Sequence, residues 1–353
     1  MIFRHNIFSD PVPVNKKALF IIFMCLFILS SIIALNFINN GRIVVKHVSV
    51  TITALPKNLE NFRILHISDL HGKEFGASQS TISTMLRQQH YNAVCITGDV
   101  CRPDGDYDAF IKLIDLFSVP VYFVAGDEDP DPIAAVSQQS ENVKAQYILE
   151  AEEHGAIYLD HPEKIQIGTY SVWFVPENLF GLDIDAARLA YQIQWNDIVS
   201  KNAQLTPEAE ARLHVIAYKL NNLDLIENVM DTMNDEDVRI AVTHYPLSNE
   251  TIVTLQQWSG TEKDPFIRNS DLILAGHYAG GQIRIPFIGP LKAPSSLGGA
   301  WFPGDQEITG LSTLQGITQY ISPGLGSSSV YPIRLRLFNT PSVTILTLTS
   351  ALL

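Results

Sequence analysis

Seven side chains, Asp69, His71, Asp99, Asp127, Glu128, His244 and His277, are the residues here that could do chemistry as a group, because each follows an apolar, strand-like run. Imidazoles mixed with carboxylates suit Mn, Fe, Zn or a similar divalent ion, whereas calcium takes an all-oxygen cage. Two such ions that share a carboxylate and a hydroxide polarise a phosphate and supply its nucleophile. Hydrolysis of a phosphate ester then needs little beyond positioning and an acid for the leaving group. The donor set therefore points to one or two divalent metal ions as cofactor, and a phosphate ester is a partner that such a pair would suit.

The elements that must position these side chains are legible as alternating runs. Phe62–Ser68, Ala93–Thr97 and Val119–Ala125 read as strands, with helices near Ser80–His90 and Tyr107–Phe117 between them. That order is a βαβαβ opening and predicts a parallel sheet. Its strands run into Asp69-Leu70-His71, Gly98-Asp99 and Asp127-Glu128-Asp129, and ligand sites in open α/β sheets gather at such carboxyl ends. Further strands are expected at Ala156–Leu159, Lys164–Ile167, Ser171–Val175, Arg239–Thr243, Leu272–Ala275, Gln282–Ile285, Thr318–Ile321 and Val343–Thr347. Between the two groups a helical hairpin is expected. Ile184, Ala187, Tyr191, Trp195 and Ile198 share one face of its first helix, and Thr206-Pro207 reads as the N-cap and first residue of the second. The hairpin reads as a layer packed on the core, with a lid or lipid-facing cap as the sharper alternative.

The segment Ala18 to Ile38 is uncharged and mostly apolar, and as a helix it rises about 31 Å, roughly one hydrocarbon thickness. It reads as an uncleaved anchor, since Ala34 follows Ile32 and Ile33 where a signal-peptide cut would want small residues. Lys16 and Lys17, with Arg4 behind them, face Arg42 and Lys46 across it. The bias toward a cytoplasmic N-terminus and an extracytoplasmic soluble domain is slight. A formal charge of −13 and the lack of a basic stripe speak against nucleic acid as a partner. Oligomeric state is not legible. Of the other histidines, His66 reads as a packed strand residue, and His90, His154, His161 and His214 as having no partners. Cys95 and Cys101 are too far apart along extended chain to form a disulfide.

Several motifs occur in order: Ile64-Leu65-His66-Ile67-Ser68-Asp69-Leu70-His71, Thr97-Gly98-Asp99, Gly126-Asp127-Glu128-Asp129, Thr243-His244-Tyr245-Pro246, Gly276-His277-Tyr278-Ala279, Gly280-Gly281-Gln282-Ile283, and Ile321-Ser322-Pro323-Gly324-Leu325-Gly326 followed by Pro332-Ile333-Arg334. From Phe62 to about Leu348 the pattern resembles the calcineurin-like metallophosphoesterase family, and within it the membrane-anchored bacterial branch. The resemblance implies an α/β fold, a β-sandwich of two mixed sheets flanked by helices, here preceded by one N-terminal transmembrane helix. Residues 1–17 would be a short tail and 18–38 the anchor. Residues 39–61 would be a linker and first strand, and 62–350 the metallophosphoesterase-like domain, with its helical insertion near 183–235.

Carried over position by position, the resemblance gives a first metal Asp69, His71 and a bridging Asp99. The second takes Asp99, Asp127 in place of the usual Asn, His244 and His277. Position 279 is Ala where the family has a further histidine, and Glu128 stands where it has the catalytic one. Glu128 and Asp99 are then the catalytic pair. Glu128 can act as an acid if Asp127 and Asp129 raise its pKa. Tyr278 reads as a filler of the lost histidine volume. Two readings stay open: a membrane-anchored metal-dependent phosphoesterase acting on a mono- or diester, with a lipid headgroup as one substrate, and a pseudo-phosphoesterase that serves as a binding or scaffold module.

Overall fold

The computed structural model describes residues 15–134, 143–201, 205–258, 270–294, 297–329, 331 and 335–351. Arg4 and the Pro332-Ile333-Arg334 element lie outside the described residues. Helix α1 (Lys16–Asn40) starts at Asn15, whose side-chain oxygen accepts from the Lys17 N–H at 3.1 Å, a capping bond that satisfies one orphan donor. It is long and apolar enough to cross a membrane, and Leu19, Phe20, Phe23 and Phe27 on it are all more than half exposed.

Strands β1 (Val44–Ile52), β2 (Arg63–Ile67), β3 (Ala93–Thr97), β4 (Val121–Val124) and β5 (Ala156–Tyr158) come next, with α2 (Ser80–Leu86), α3 (Asp108–Ile114) and α4 (Gln146–Glu153) between them. The chain continues through β6 (Glu163–Ile167), β7 (Tyr170–Pro176), α5 (Ile184–Lys201), α6 (Pro207–Met230), β8 (Val238–Val242), α7 (Asn249–Trp258) and β9 (Leu272–Ala275). It closes with β10 (Arg284–Ile285), β11 (Gly289–Pro290), α8 (Asp305–Ile308), β12 (Gly310–Leu314), β13 (Ile317–Ile321) and β14 (Ser342–Ser350). One six-stranded sheet has the order β1-β14-β2-β3-β4-β5 and a second the order β12-β13-β9-β8-β7-β6. Both are mixed: β2 to β5 run parallel beside an antiparallel β14, and β13, β9, β8 and β7 run parallel between antiparallel β12 and β6.

Strand alternation sorts the core. Ile64, Cys95 and Tyr122 of the first sheet meet Phe174, Ile240 and Leu274 of the second in one apolar layer, where the Tyr122 and Phe174 rings stack at 4.4 Å. The opposite side chains of the first sheet, Leu65, Val94, Ile96 and Phe123, pack under Ile82, Phe110 and Ile148 of the helices. These strands are buried on both faces, which is why they read as unbroken apolar runs. On the second sheet Trp173 and Val175 point outward, against Leu223 and Ile226 of α6. The helical hairpin is thus a packed layer on the outer face of that sheet.

Three expectations shift. The helix near Ser80–His90 ends at Leu86. The strand at Gln282–Ile285 shrinks to two residues, because Gln282 takes a left-handed turn at φ 45. His154 and His161 do have carboxylate partners, brought by the fold: Asp115 for the first, Asp160 and Glu163 for the second.

Asp160 fastens the hairpin to the β5–β6 corner. The Tyr218 hydroxyl donates to its carboxylate and the Asn222 amide to its backbone carbonyl, while His161 pairs with it at 2.5 Å. Bonds to Asp160 and Glu163 outweigh burial and lift His161 to about 9. A pKa raised above the unfolded value of about 6.5 stabilises the fold fully below that value, and the contribution is lost as pH rises through 9. The denaturant midpoint of the full chain should therefore fall across this window, and His161→Gln should flatten the fall. A midpoint that rises with pH, or a slope unchanged by the substitution, would contradict the pairing.

Candidate metal centre

Asp69 and His71 follow β2, Asp99 follows β3, Asp127 follows β4, His244 follows β8 and His277 follows β9, so both sheets deliver their carboxyl ends to one edge. The two edges are stitched together by the site itself. The His277 N–H donates to Asp69 Oδ1 at 2.9 Å, and His244 Nδ1 donates to the Thr97 carbonyl at 2.8 Å. Asp69, His71, Asp99 and His277 all have φ between 48 and 71. That region costs a non-glycine residue about 1 kcal/mol or more, and persists where surrounding bonds over-determine it.

Two groups of donor atoms emerge, sharing Asp99. Asp99, Asp127, His244 and His277 each offer an atom within 4.8 Å of the others, as do Asp69, His71 and Asp99. In the first group Asp127 Oδ1 lies 2.8 Å from His244 Nε2 and 3.1 Å from His277 Nδ1, the two nitrogens are 3.1 Å apart, and Asp99 Oδ2 is 3.5 Å from His244 Nε2. Donors about 2.1 Å from one zinc-like ion sit roughly 3.4 Å apart in a tetrahedron, so these separations are close to those of donors around one cation. With the His244 Nδ1 proton committed to Thr97, its Nε2 lone pair faces a carboxylate oxygen. Only a proton or a cation makes that contact attractive. In the second group His71 Nδ1, His71 Nε2 and Asp99 Oδ2 are buried with no hydrogen-bond partner, and His71 Nε2 stands 3.7 Å from Asp99 Oδ2. Buried polar atoms left bare in this way call for an ion or an ordered ligand.

The electrostatics agree. Burial, reinforced by Asp69 and Asp129 and only partly offset by His244, pushes Asp99 up to about 8. Burial lowers His244, yet its bond to Asp127 and the charges of Asp99 and Asp69 outweigh that and raise it to about 10. Asp127 itself is held well below the carboxylate range, because bonds from the two imidazoles overcome its burial. Burial lowers His71 in spite of its acidic neighbours. A divalent ion would reverse the Asp99 shift by supplying the missing positive charge.

Glu128 corrects an expectation. Its side chain was to be raised by Asp127 and Asp129, but Glu128 Oε1 accepts from Ser328 Oγ at 2.9 Å, Ser329 N at 2.5 Å and Ser329 Oγ at 2.7 Å. Burial pulls its pKa up, and these bonds with the charge of His71 bring it below the usual value. Hydrogen bonds to the ionised form favour that form. Asp129 turns away to bind the backbone N–H groups of Cys101 and Gly126 at 2.7 and 2.8 Å, which clasps two loops together. Tyr278 is buried with Ala293, Ile308 and Ile321, a packing position, and Ala279 is buried beside it.

Sequence reasoning passed over four residues here. Ser328 and Ser329 clamp Glu128 from 200 residues away, and their one signal was the Ser-rich run after Gly326. Tyr245 sits half exposed with its ring 4.4 Å from His277; burial and Asp127 push it up to about 12, so it remains a donor at neutral pH. Arg336 is buried and donates to the carbonyls of Gly326, Pro323 and Asn339. Gly326 in turn donates to the Asp69 carbonyl at 2.5 Å. A lone charge between Leu335 and Leu337 was its only mark.

Glycine precedes Asp99 and Asp127 because the loops press together. A Cβ on Gly98, at φ 80, would come within 2.7 Å of His244 Nδ1, and one on Gly126 within 2.1 Å of Asp99 Oδ1. Gly126→Ala should therefore displace the shared carboxylate and cut metal content of the purified full chain to less than half, with far-ultraviolet circular dichroism unchanged. Undiminished metal content would show that the Asp99 position is not critical.

Comparison with known proteins places these features. Residues 62–280 match the family model for calcineurin-like phosphoesterases. Thirty solved chains match as well. One, described as the phosphopantetheinyl hydrolase (PptH) of Mycobacterium tuberculosis, is 15% identical with a TM-score of 0.35, over 74% of this chain and 89% of that one. Another is 8% identical with a TM-score of 0.34, over 75% of this chain and 91% of that one. No curated protein matches. Because the family match spans well over half of the sequence and takes in Asp69, His71, Asp99, Asp127, His244 and His277, the chain belongs to the calcineurin-like phosphoesterases.

Proposed function

We propose that this protein is a membrane-anchored, metal-dependent phosphoesterase that hydrolyses a phosphate mono- or diester presented at the bilayer surface, a lipid headgroup among them. The observation that carries the reading is the pair of donor groups joined at Asp99 with bare, buried atoms aimed into them. Asp99, Asp127, His244 and His277 would hold one divalent ion, and Asp69, His71 and Asp99 a second; nitrogen and oxygen donors together suit Mn, Fe or Zn. When bound, such ions polarise the phosphate and activate water. The four-donor group is the better equipped. With Ala279 in place of a further imidazole, the other has three protein donors and binds its ion more weakly.

The chain's own residues then divide the work. Asp99 keeps the two groups in fixed relation, and Thr97 fixes the tautomer of His244. Tyr245, neutral, is hydrogen-bonded to Asp127 and steadies that carboxylate beside the two imidazoles. Glu128, clamped in its ionised form, is a positioning residue: its Oε2 stands 3.6 Å from His71 Nδ1, beyond hydrogen-bond reach, and its charge biases that imidazole electrostatically. Water is the source of the leaving-group proton. Helix α1 supports the anchored reading, and Lys16 and Lys17 before it favour a catalytic domain outside the cytoplasm.

One observation favours the rival binding-module reading, namely that the only carboxylate in the family's acid position is held ionised. An assay of the detergent-purified full chain with Mn and a chromogenic phosphodiester separates the two. Turnover is expected, with a loss of more than about 100-fold for His244→Ala, beyond the range typical of groups outside the ligand sphere. Metal binding without turnover would favour the binding module. Glu128→Gln should cost about tenfold and leave the basic limb of the pH profile in place. Loss of that limb would restore Glu128 as the acid.

A further inference from the structure

A surface of large apolar side chains lies where the end of α1 meets the catalytic domain. β10 and β11 pair through Arg284↔Pro290 and Ile285↔Gly289, which makes a tight hairpin. Phe287 and Ile288 at its tip are 108% and 64% exposed. A second turn follows, closed by Ala293 N–H donating to Ala300 at 2.8 Å and Phe302 N–H to Leu291 at 3.1 Å. It presents Trp301 and Phe302, both more than half exposed. Phe338 lines the same cleft as Phe287 and Ile288.

The anchor is bonded to this surface. Asn36 and Asn40, in the last turns of α1, both donate to the Arg336 carbonyl at 2.8 Å, and Phe338 N–H donates to Asn36 Oδ1 at 3.1 Å. Lys73 Nζ also donates to the Asn40 carbonyl at 2.9 Å. A helix whose end is fixed by four bonds to two loops cannot swing freely, so what lies beside its end faces the bilayer that the helix enters. Charged groups stand around the patch in a chain of net charge −13: Lys292 sits 5.4 Å from the centroid of the Trp301 ring, and Arg284, paired with Asp305 of the same cleft, precedes the hairpin. Burial, and then repulsion from Arg284, lowers the pKa of Lys46 nearby. Aromatic and long apolar side chains rimmed by lysine and arginine match the chemistry of the headgroup boundary.

We propose that the turns at Phe287–Ile288 and Trp301–Phe302, with Phe338, form a second membrane contact, seated in the headgroup boundary of the bilayer that α1 crosses. The contact rests on the anchored reading above and adds an orientation to it. The hairpin continues directly from the His277 segment, with Arg284 Nη1 donating to the Gly280 carbonyl at 3.0 Å. Arg336 runs from the α1 contact to Gly326, which is bonded to Asp69. The metal centre is thereby tied on two sides to the membrane-facing surface, and a phosphate ester held in a lipid has a short path to it.

The test uses the full chain in phosphatidylcholine vesicles whose acyl chains carry bromine, a contact quencher, with an environment-sensitive fluorophore on one cysteine at a time. Native Cys25, exposed on α1, reports insertion of the anchor, while Cys95 and Cys101 are buried. Phe287→Cys reports the hairpin and Ile193→Cys, exposed on α5, a competing apolar surface; both are made with Cys25→Ser. The label at 287 should be blue-shifted and lose about half its emission, as for a group roughly 5–10 Å into the boundary, while the label at 193 is unaffected. Quenching at 25 without quenching at 287 would overturn the hairpin contact and leave the anchor standing. No quenching at 25 would overturn both, and quenching at 193 equal to or above that at 287 would assign the contact elsewhere or to general adsorption.

Discussion

One buried carboxylate organises this molecule. Asp99 is fully enclosed at the meeting of two sheet edges, with one oxygen held by the Glu128 N–H at 2.9 Å and the other unpartnered between His71 and His244. An anion in that place is expensive to bury alone. Its raised pKa is the sign of that cost. The left-handed backbone at Asp69, His71, Asp99 and His277 and the close contact of Gly126 with Asp99 are geometric consequences of bringing so many donors to one point. Local strain of this kind gathers at functional sites because a cation repays it there.

The rest of the fold supplies rigidity around that point. An apolar layer between the sheets fixes the relative position of their edges, and bonds across the site, from His277 to Asp69 and from His244 to Thr97, close the gap at the top. Arg336 spreads its guanidinium over three loop carbonyls, including that of Gly326 beside Asp69. Its own carbonyl receives the amides of Asn36 and Asn40. The candidate metal site, the Gly326 loop and the apolar helix are thus one bonded series.

Much of this was legible because the information was local. Central parallel strands announce themselves as apolar runs, the hairpin helices through periodic spacing and the Thr206-Pro207 start, and the donors by standing just after strands. Pairing across long separations was not legible. Nothing near Glu128 foretold that Ser328 and Ser329 would hold it ionised, so an argument from its acidic neighbours pointed in the wrong direction. For the same reason His161 passed as unpartnered, since two carboxylates reach it only after the β5–β6 corner folds. Position 279 carried its own message in the sequence, as an alanine where the family pattern has a further histidine.

Whether Asp99 truly joins two sites is open to a direct measurement. Manganese(II) added stepwise to the full chain, followed by electron paramagnetic resonance, reads both the order of binding and the relation of the ions. A shared Asp99 predicts that the first equivalent gives the signal of an isolated ion in the four-donor group, and that the second replaces it with an exchange-coupled signal. His71→Ala should leave the first and abolish the second. A second equivalent that merely adds another isolated signal would contradict the bridge, and a chain that binds no manganese would contradict the metal centre itself.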